Sequence, residues 1–332
     1  MLKRYVTVLA LTLLHVACGQ AEGAVHGTGA KADADNYAVW RVDAARVLVA
    51  RGDARSLATA AALTFVGPGA RSKAESAKAE GAALEIAVKA SELAPEDPAI
   101  TWLHLHLCAG APACDIRDAA TTMRWVDADN AAAWLPTLAV AQKERDTVQV
   151  DRILTDIAQG TRFDLYGNRT TVLMYDALKK ARAALPAKYL GSDLARLTEA
   201  MGLAGAVVMP SFSPLINACR EAAATERREA CFKLSKTMQR ADAVMTQLVG
   251  FAIEKRLTSD GKELRMIAER RRLLEWRVAA ANQSDTPLLP WLRNARARSR
   301  LAKMRALTRE EDVCIALLRE HGMPLDPPED RH

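Results

Sequence analysis

The chain has 332 residues, 50% of them hydrophobic but only 5% aromatic, because about one residue in five is Ala, the strongest helix former. That composition excludes a fibrous, collagen-like or disordered chain. Formal charge is +6 from 46 basic and 40 acidic residues, and removing Lys3 and Arg4 with the leader leaves 44 against 40, too even to point to nucleic acid.

The first residues read as an export signal over 1–21. Met1-Leu2-Lys3-Arg4 is a short cationic start, Val6 to Leu14 is apolar, and Ala17-Cys18-Gly19 supplies small residues where cleavage belongs. Leu13-Leu14-His15-Val16-Ala17-Cys18 resembles a bacterial lipoprotein signal, which implies cleavage before Cys18 and lipidation of its sulfur. His15 stands three residues before the Cys, where that pattern has Leu. Ordinary cleavage after Ala21 competes with it and would discard Cys18. Residues 19–35, with Gly19, Gly23, Gly27 and Gly29 among Ala and small polar residues, read as a flexible tether.

Helical periodicity then recurs along the chain, with no alternating series of strand formers. Helices are predicted over 36–50, 54–66, 72–93, 98–108, 115–126, 130–143, 147–159, 169–184, 192–206, 213–224, 226–256, 262–281, 288–304 and 308–321. Breakers such as Gly67-Pro68-Gly69, Pro95-Glu96-Asp97-Pro98 and Pro210-Ser211-Phe212-Ser213-Pro214 separate them. Thr161 to Asn168 brings polar and aromatic residues between helices, with Phe163 and Tyr166 either lining a concave surface or anchoring a loop in the core. A boundary near 185–191 divides a repeat-like domain, 36–185, from a C-terminal helical region, 186–324, and 325–332 reads as a flexible tail.

An internal repeat sets Asp97-Pro98-Ala99-Ile100-Thr101-Trp102-Leu103 beside Asp129-Asn130-Ala131-Ala132-Ala133-Trp134-Leu135, an offset of 32 residues. In each, an Asp or Asn caps a helix that places Trp and Leu on its packing stripe. With its acidic junctions, the stretch over about 72–160 resembles the tetratricopeptide repeat family. The resemblance implies an all-α fold of antiparallel helix pairs, a superhelix whose concave surface binds protein or peptide, here followed by a C-terminal helical bundle. The period departs from the family's 34 residues, and the signature Gly, Tyr and Phe positions are incomplete.

Without Cys18 five cysteines remain, an odd number. Cys108 and Cys114 flank a breaker-rich loop and are expected to pair if export supplies an oxidising compartment. Cys219 and Cys231 are expected to pair only if Ala224-Thr225-Glu226 turns between two helices. One continuous helix would hold those thiols about 18 Å apart. Cys314, in an apolar helical setting, is expected to be a buried thiol.

No catalytic signature stands out, and no cofactor is expected. The sequence has no Gly-x-Ser-x-Gly elbow, Walker loop, dinucleotide Gly fingerprint or His-Glu-x-x-His. His104, His106 and Cys108 would share one face of a strand, but in a helix His104 and His106 lie about 200° apart, so no metal site is predicted. Glu75-Ser76 lacks the Gly-rich context that a murein-cleaving Glu would need. Arg293, Arg296 and Arg300 follow helical spacing within a run of six cations and form a candidate anion-binding stripe, although Glu310, Glu311 and Asp312 follow closely enough to neutralise it.

The expected protein is therefore a non-enzymatic binding or scaffolding module of the bacterial cell envelope, lipid-anchored at Cys18 and facing the periplasm, or soluble within it. Its partner would be an envelope protein or peptide, with membrane association through the Cys18 lipid and no nucleic acid. A cell-wall-modifying enzyme with a dispersed active site and a purely structural lipoprotein are the competing readings.

Overall fold

A computed structural model of the chain describes residues 28–67, 72–181, 191–220, 225–284 and 290–328. Their regular structure is helical apart from one parallel bridge between Asn130 and Arg162. In chain order the helices are α1 (Thr28–Arg51), α2 (Ala54–Val66), α3 (Lys73–Leu93), α4 (Pro98–Gly110), α5 (Ile116–Val126), a 3-10 turn (Ala131–Trp134), α6 (Leu135–Lys143), α7 (Thr147–Gln159) and α8 (Gly167–Ala181). There follow α9 (Asp193–Val208), α10 (Ser213–Arg220), α11 (Thr225–Met238), α12 (Val244–Leu257), α13 (Gly261–Ser284), α14 (Pro290–Ala306) and α15 (Glu310–Glu320).

Side chains mark the helix starts. Asp53 accepts from the Ser56 amide at 3.0 Å, Asp97 from Ala99 at 3.0 Å ahead of Pro98, and Asp146 from Gln149 at 2.9 Å. Ser72 and Glu75 form a reciprocal capping box, so Glu75 has a local structural role at the start of α3. Each such cap contributes about 1 kcal/mol.

Successive helices from α1 to α5 pack as antiparallel neighbours, and α6, α7, α11 and α12 continue the stacking. Small residues set the spacing: Ala60, Ala61, Ala62, Ala83, Ala87 and Ala90 are fully buried. The stack does not stand alone. Helices α8 and α9 turn back and pack against α2 and against each other, and α9 also reaches α4. There the Trp102 indole N–H donates to the Val208 carbonyl at 2.9 Å. Buried Glu199 of α9 receives the Tyr37 hydroxyl and the Arg41 Nε, the latter at 3.2 Å, which joins α1 to the same seam.

Helices α13, α14 and α15 form a C-terminal cluster, with α14 lying on α8 and α9. The principal core is continuous from Trp40 to Leu317. Two smaller apolar clusters fasten α13 to its neighbours, one through Leu248, Phe251, Ile267 and Leu274, the other through Ala280, Ala281, Cys314 and Leu318. No single described helix is long and apolar enough to cross a membrane.

Both expected disulfides are present: Cys108–Cys114, with Cα atoms 5.3 Å apart, and Cys219–Cys231, at 5.6 Å. The second shows that α10 and α11 are not one continuous helix; Thr225 and Glu226 of the expected turn already belong to α11, and 221–224 lie outside the described residues. Cys314 is buried and belongs to neither bridge.

Several boundaries differ from the sequence expectation. The helix predicted over 226–256 is two helices, because 239–243 forms a turn: the Gln247 side chain donates to the Ala241 carbonyl, and Asp242 reaches out to another loop. Gly250 permits the crossing of the two halves, since a Cβ there would lie 2.9 Å from the Met238 Cβ and the Ser235 carbonyl oxygen. Residues 130–143 open with the 3-10 turn instead of α-helix. Helix already begins at Thr28, inside the segment read as a tether. The start of the segment read as a tail is docked, for Leu325 packs against the α13–α15 cluster beside Met323 and Arg277 bonds the Leu325 carbonyl at 3.3 Å. The export signal with Cys18, the boundary region 182–190 and residues 329–332 lie outside the described residues.

Candidate binding cleft

The loop from Gly160 to Tyr166 is where the two directions of the chain meet. Gly160 begins it with a close approach, because a Cβ at that position would lie 2.8 Å from the Ala131 Cβ and 3.0 Å from the Ala131 amide nitrogen. Phe163 and Leu165 are fully buried, so the loop is anchored in the core. Tyr166 adopts φ 58°, a left-handed conformation uncommon for a side-chain-bearing residue, and Gly167 then starts α8.

Buried polar groups hold this conformation. Asn130 caps the 3-10 turn through its Oδ1 to the Ala132 amide at 3.1 Å and accepts the Asp164 amide at 3.0 Å. Its Nδ2 donates to the Asp164 carbonyl and the Tyr166 hydroxyl, both at 2.9 Å. Asp127 receives the Tyr166 hydroxyl on one oxygen and Arg162 on the other. Burial, with Asp127 beside it, pushes the Tyr166 phenol well above its ordinary range.

From the far side Asp242, only 5% exposed, accepts the amides of Leu165 at 2.8 Å and Tyr166 at 2.7 Å. Burial pushes its carboxyl up to about 7, with Asp164 and Glu310 adding to the rise and the two amides opposing it. Glu310 opens α15 and accepts the Val244 amide at 2.8 Å, and burial raises its carboxyl as well. Asn168 at the start of α8 donates to the carbonyls of Leu307 and Thr308 at 3.2 and 3.1 Å, satisfying backbone left open past the end of α14.

These elements surround a cleft of about 520 Å³. Its walls carry Arg55, Arg162, Arg169 and Arg305 against Glu96, Asp97, Asp127, Asp164 and Asp242, so opposite charges nearly balance. Most are paired: Arg162 with Asp127 and Asp164, Arg169 with Asp97 at 3.1 Å, and Arg305 with Asp176. Arg55 and Glu96 are exposed, and neither has an ion-pair partner among the described residues. Pro98, Val126, Val172 and Leu173 add apolar wall to the same cleft.

Both oxygens of Asp127 and both of Asp242 are engaged by protein donors, so neither carboxylate is presented as a general acid or base. Positions that sequence reasoning singled out lie elsewhere. His104 and His106 point to different sides of α4; burial pushes the His106 imidazole down to about 4, and Cys108 is in its disulfide rather than offering a thiolate. The stripe of Arg293, Arg296 and Arg300 is interrupted: Arg300 is only 9% exposed and bonds Asn282 at 3.1 Å, because its position on α14 faces the packed side.

Of the hub residues, Asn130 was marked as a cap in the internal repeat and Arg162 lay in the polar break, whereas Asp127 and Asp242 had no motif to mark them. The polar and aromatic break at 161–168 located the loop without revealing its partners. Compared with family models, curated proteins and solved structures, the chain matches none.

Proposed function

We propose that this chain is an exported, non-enzymatic binding protein of the bacterial envelope, a tetratricopeptide-like superhelix over about 72–160 closed by the returning helices, held at the membrane by lipid on Cys18. In this reading the central cleft takes a peptide segment of an envelope protein. One observation carries it: Arg55 and Glu96 present opposite charges, without ion-pair partners among the described residues, in a cleft of about 520 Å³ whose wall also carries Pro98, Val126, Val172 and Leu173. A peptide supplies carbonyls, amides, charged side chains and apolar groups to such a surface, which a small uniform anion does not. Two disulfides support export, since they persist in oxidising compartments.

The test is photo-crosslinking in intact cells, with a reactive amino acid at Arg55 or at Glu96 and a control at exposed Lys78 on α3. A discrete envelope protein captured from both cleft positions and not from the control is the expected result. Loss of capture at Glu96 on Arg55→Glu would place the partner in the cleft. Equal labelling from all three positions, or hydrolysis of murein fragments by the purified chain, would overturn the reading. Mass spectrometry of the mature N-terminus decides the anchor: diacylated Cys18 is expected, and a chain beginning after Ala21 would remove it.

A further inference from the structure

A second surface differs from the cleft in its charge. On α11, Lys233 and Lys236 follow one another at helical spacing, and Arg240 continues the same line past the helix end, where the negative pole of α11 favours a cation. Two hollows flank this line. One, about 480 Å³, lies toward the start of the 160–168 loop and is lined by Lys233, Lys236 and Arg240, with no carboxylate in its wall. The other, about 330 Å³, lies toward α13 and is lined by Lys236, Arg240, Arg270 and Arg277, with Glu311 as its one carboxylate. Lys236 and Arg240 line both, so the hollows adjoin.

The cations fall into two kinds. Lys236 is held by Glu254 and Glu263, and Arg277 by Glu311 at 2.9 Å. Lys233, Arg240 and Arg270 are exposed and have no ion-pair partner among the described residues. Unlike the central cleft, where five carboxylates line the wall with four arginines, this surface carries five cations of which Lys236 is answered by Glu254 and Glu263 and Arg277 by Glu311, leaving Lys233, Arg240 and Arg270 in excess.

We propose that these joined hollows form a binding groove for a linear phosphate polymer. A single small anion would occupy one hollow and leave the cations of the other unanswered. A chain of phosphates crossing the ridge at Lys236 and Arg240 would meet the cations of both. Guanidinium forks at Arg240 and Arg270 match phosphate oxygens, and the exposed side chains of Gln159 and Thr161 add neutral donors at one end. An acidic peptide is less well served, because it carries at most one carboxylate per residue on a flexible side chain, whereas a phosphate polymer carries a charge with fork-matching oxygens on every unit of its backbone. The inference concerns a different surface from the cleft and stands without the peptide reading.

The experiment is fluorescence anisotropy on the purified mature chain with a labelled medium-chain inorganic polyphosphate, in a salt series, with orthophosphate, poly-glutamate and anionic phospholipid vesicles as competitors. Binding that weakens steadily with salt is expected, displaced by unlabelled polyphosphate and not by the other three at matched charge. Arg240→Gln with Arg270→Gln should weaken it by about tenfold or more, since both are exposed cations of the groove. Arg293→Gln with Arg296→Gln, which removes the same charge from α14, should change it less than about twofold. Equal losses from the two double variants would show attraction to net charge alone and overturn the groove, as would the absence of binding at low salt. Preferential displacement by poly-glutamate or by vesicles would overturn the assignment in favour of an acidic peptide or a lipid surface.

Discussion

Helices α2 and α3 meet through buried alanines, whereas the elements around residues 160–168 meet through buried carboxylates, amides and hydroxyls. Alanine lets two helix backbones approach closely and costs almost no side-chain entropy, but it has few shape features with which to fix one register. Around Asp242 the reverse holds. Each oxygen accepts one particular amide, so the loop has one satisfactory position, and leaving that position strands polar groups out of contact with water. The first device brings neighbouring helices together; the second locates distant parts of the chain.

If that contrast is right, the largest loss of stability comes from Asp242→Ala, which removes the acceptor for two buried amides and should cost about 3 kcal/mol in urea unfolding. Asp242→Asn retains one acceptor and should cost about half as much. Equal, small effects from both would mean that the loop is held by its apolar anchors Phe163 and Leu165 alone.

The same group gives a pH signature. Its folded carboxyl titrates at about 7 against an ordinary 3.8, so between those values the native chain retains a proton that the unfolded chain has released. Wild type should therefore gain stability over Asp242→Asn as pH falls from 7 toward 4, with no further gain below that. Asp193 acts in the opposite direction: burial raises it, but hydrogen bonds from Tyr175, Arg196 and Arg298 outweigh burial and hold it at about 2. Its contribution is present above pH 4 and is lost on further acidification toward 2. A flat difference between wild type and Asp242→Asn from pH 7 to 4 would rule out Asp242 as the titrating group.

On the alanine side, Ala87→Leu forces extra volume into a fully buried helix contact and should cost about 1–3 kcal/mol. It should leave the hydrogen-exchange protection of the Leu165 and Tyr166 amides unchanged, whereas Asp242→Ala should lower it, because the damage belongs to separate seams. Asp53→Ala, which removes only the cap of α2, should lower stability by about 1 kcal/mol and disturb neither seam. A larger loss than Ala87→Leu would show that helix propensity, rather than close packing, limits the stack.

Much of the fold was legible from local pattern. Asp53, Ser72 with Glu75, Asp97 and Asp146 cap helices because a short polar side chain reaches an amide two or three residues on, an interaction contained within a few residues. The breaker-rich loop between Cys108 and Cys114, and the charged reversal between Cys219 and Cys231, likewise place their thiols by local geometry. The two repeat units began alike and ended differently. Trp102 is fully buried against α9, while Trp134 is only half-buried, with the Arg124 guanidinium 4.2 Å from its ring centre. Nothing at either Trp distinguishes these outcomes, since what covers Trp102 is a helix more than a hundred residues later.

The sequence by itself determined the all-helical class and the positions of most helix starts and favoured the Cys108–Cys114 bridge, because capping, periodicity and short-loop closure depend on residues near one another in the chain; the Cys219–Cys231 bridge was left conditional on a turn that the structure decided. Tertiary structure alone decided the return of α8 and α9 over the stack, the turn at 239–243 and the inward face of Arg300. It also separated the balanced cleft from the basic groove. Asp242 meets the amides of Leu165 and Tyr166 from 77 and 76 residues away, and Asn168 reaches Thr308 across 140. Whether a charge is neutralised within the chain or left to face a ligand is set by such distant partners, which no spacing along the sequence encodes.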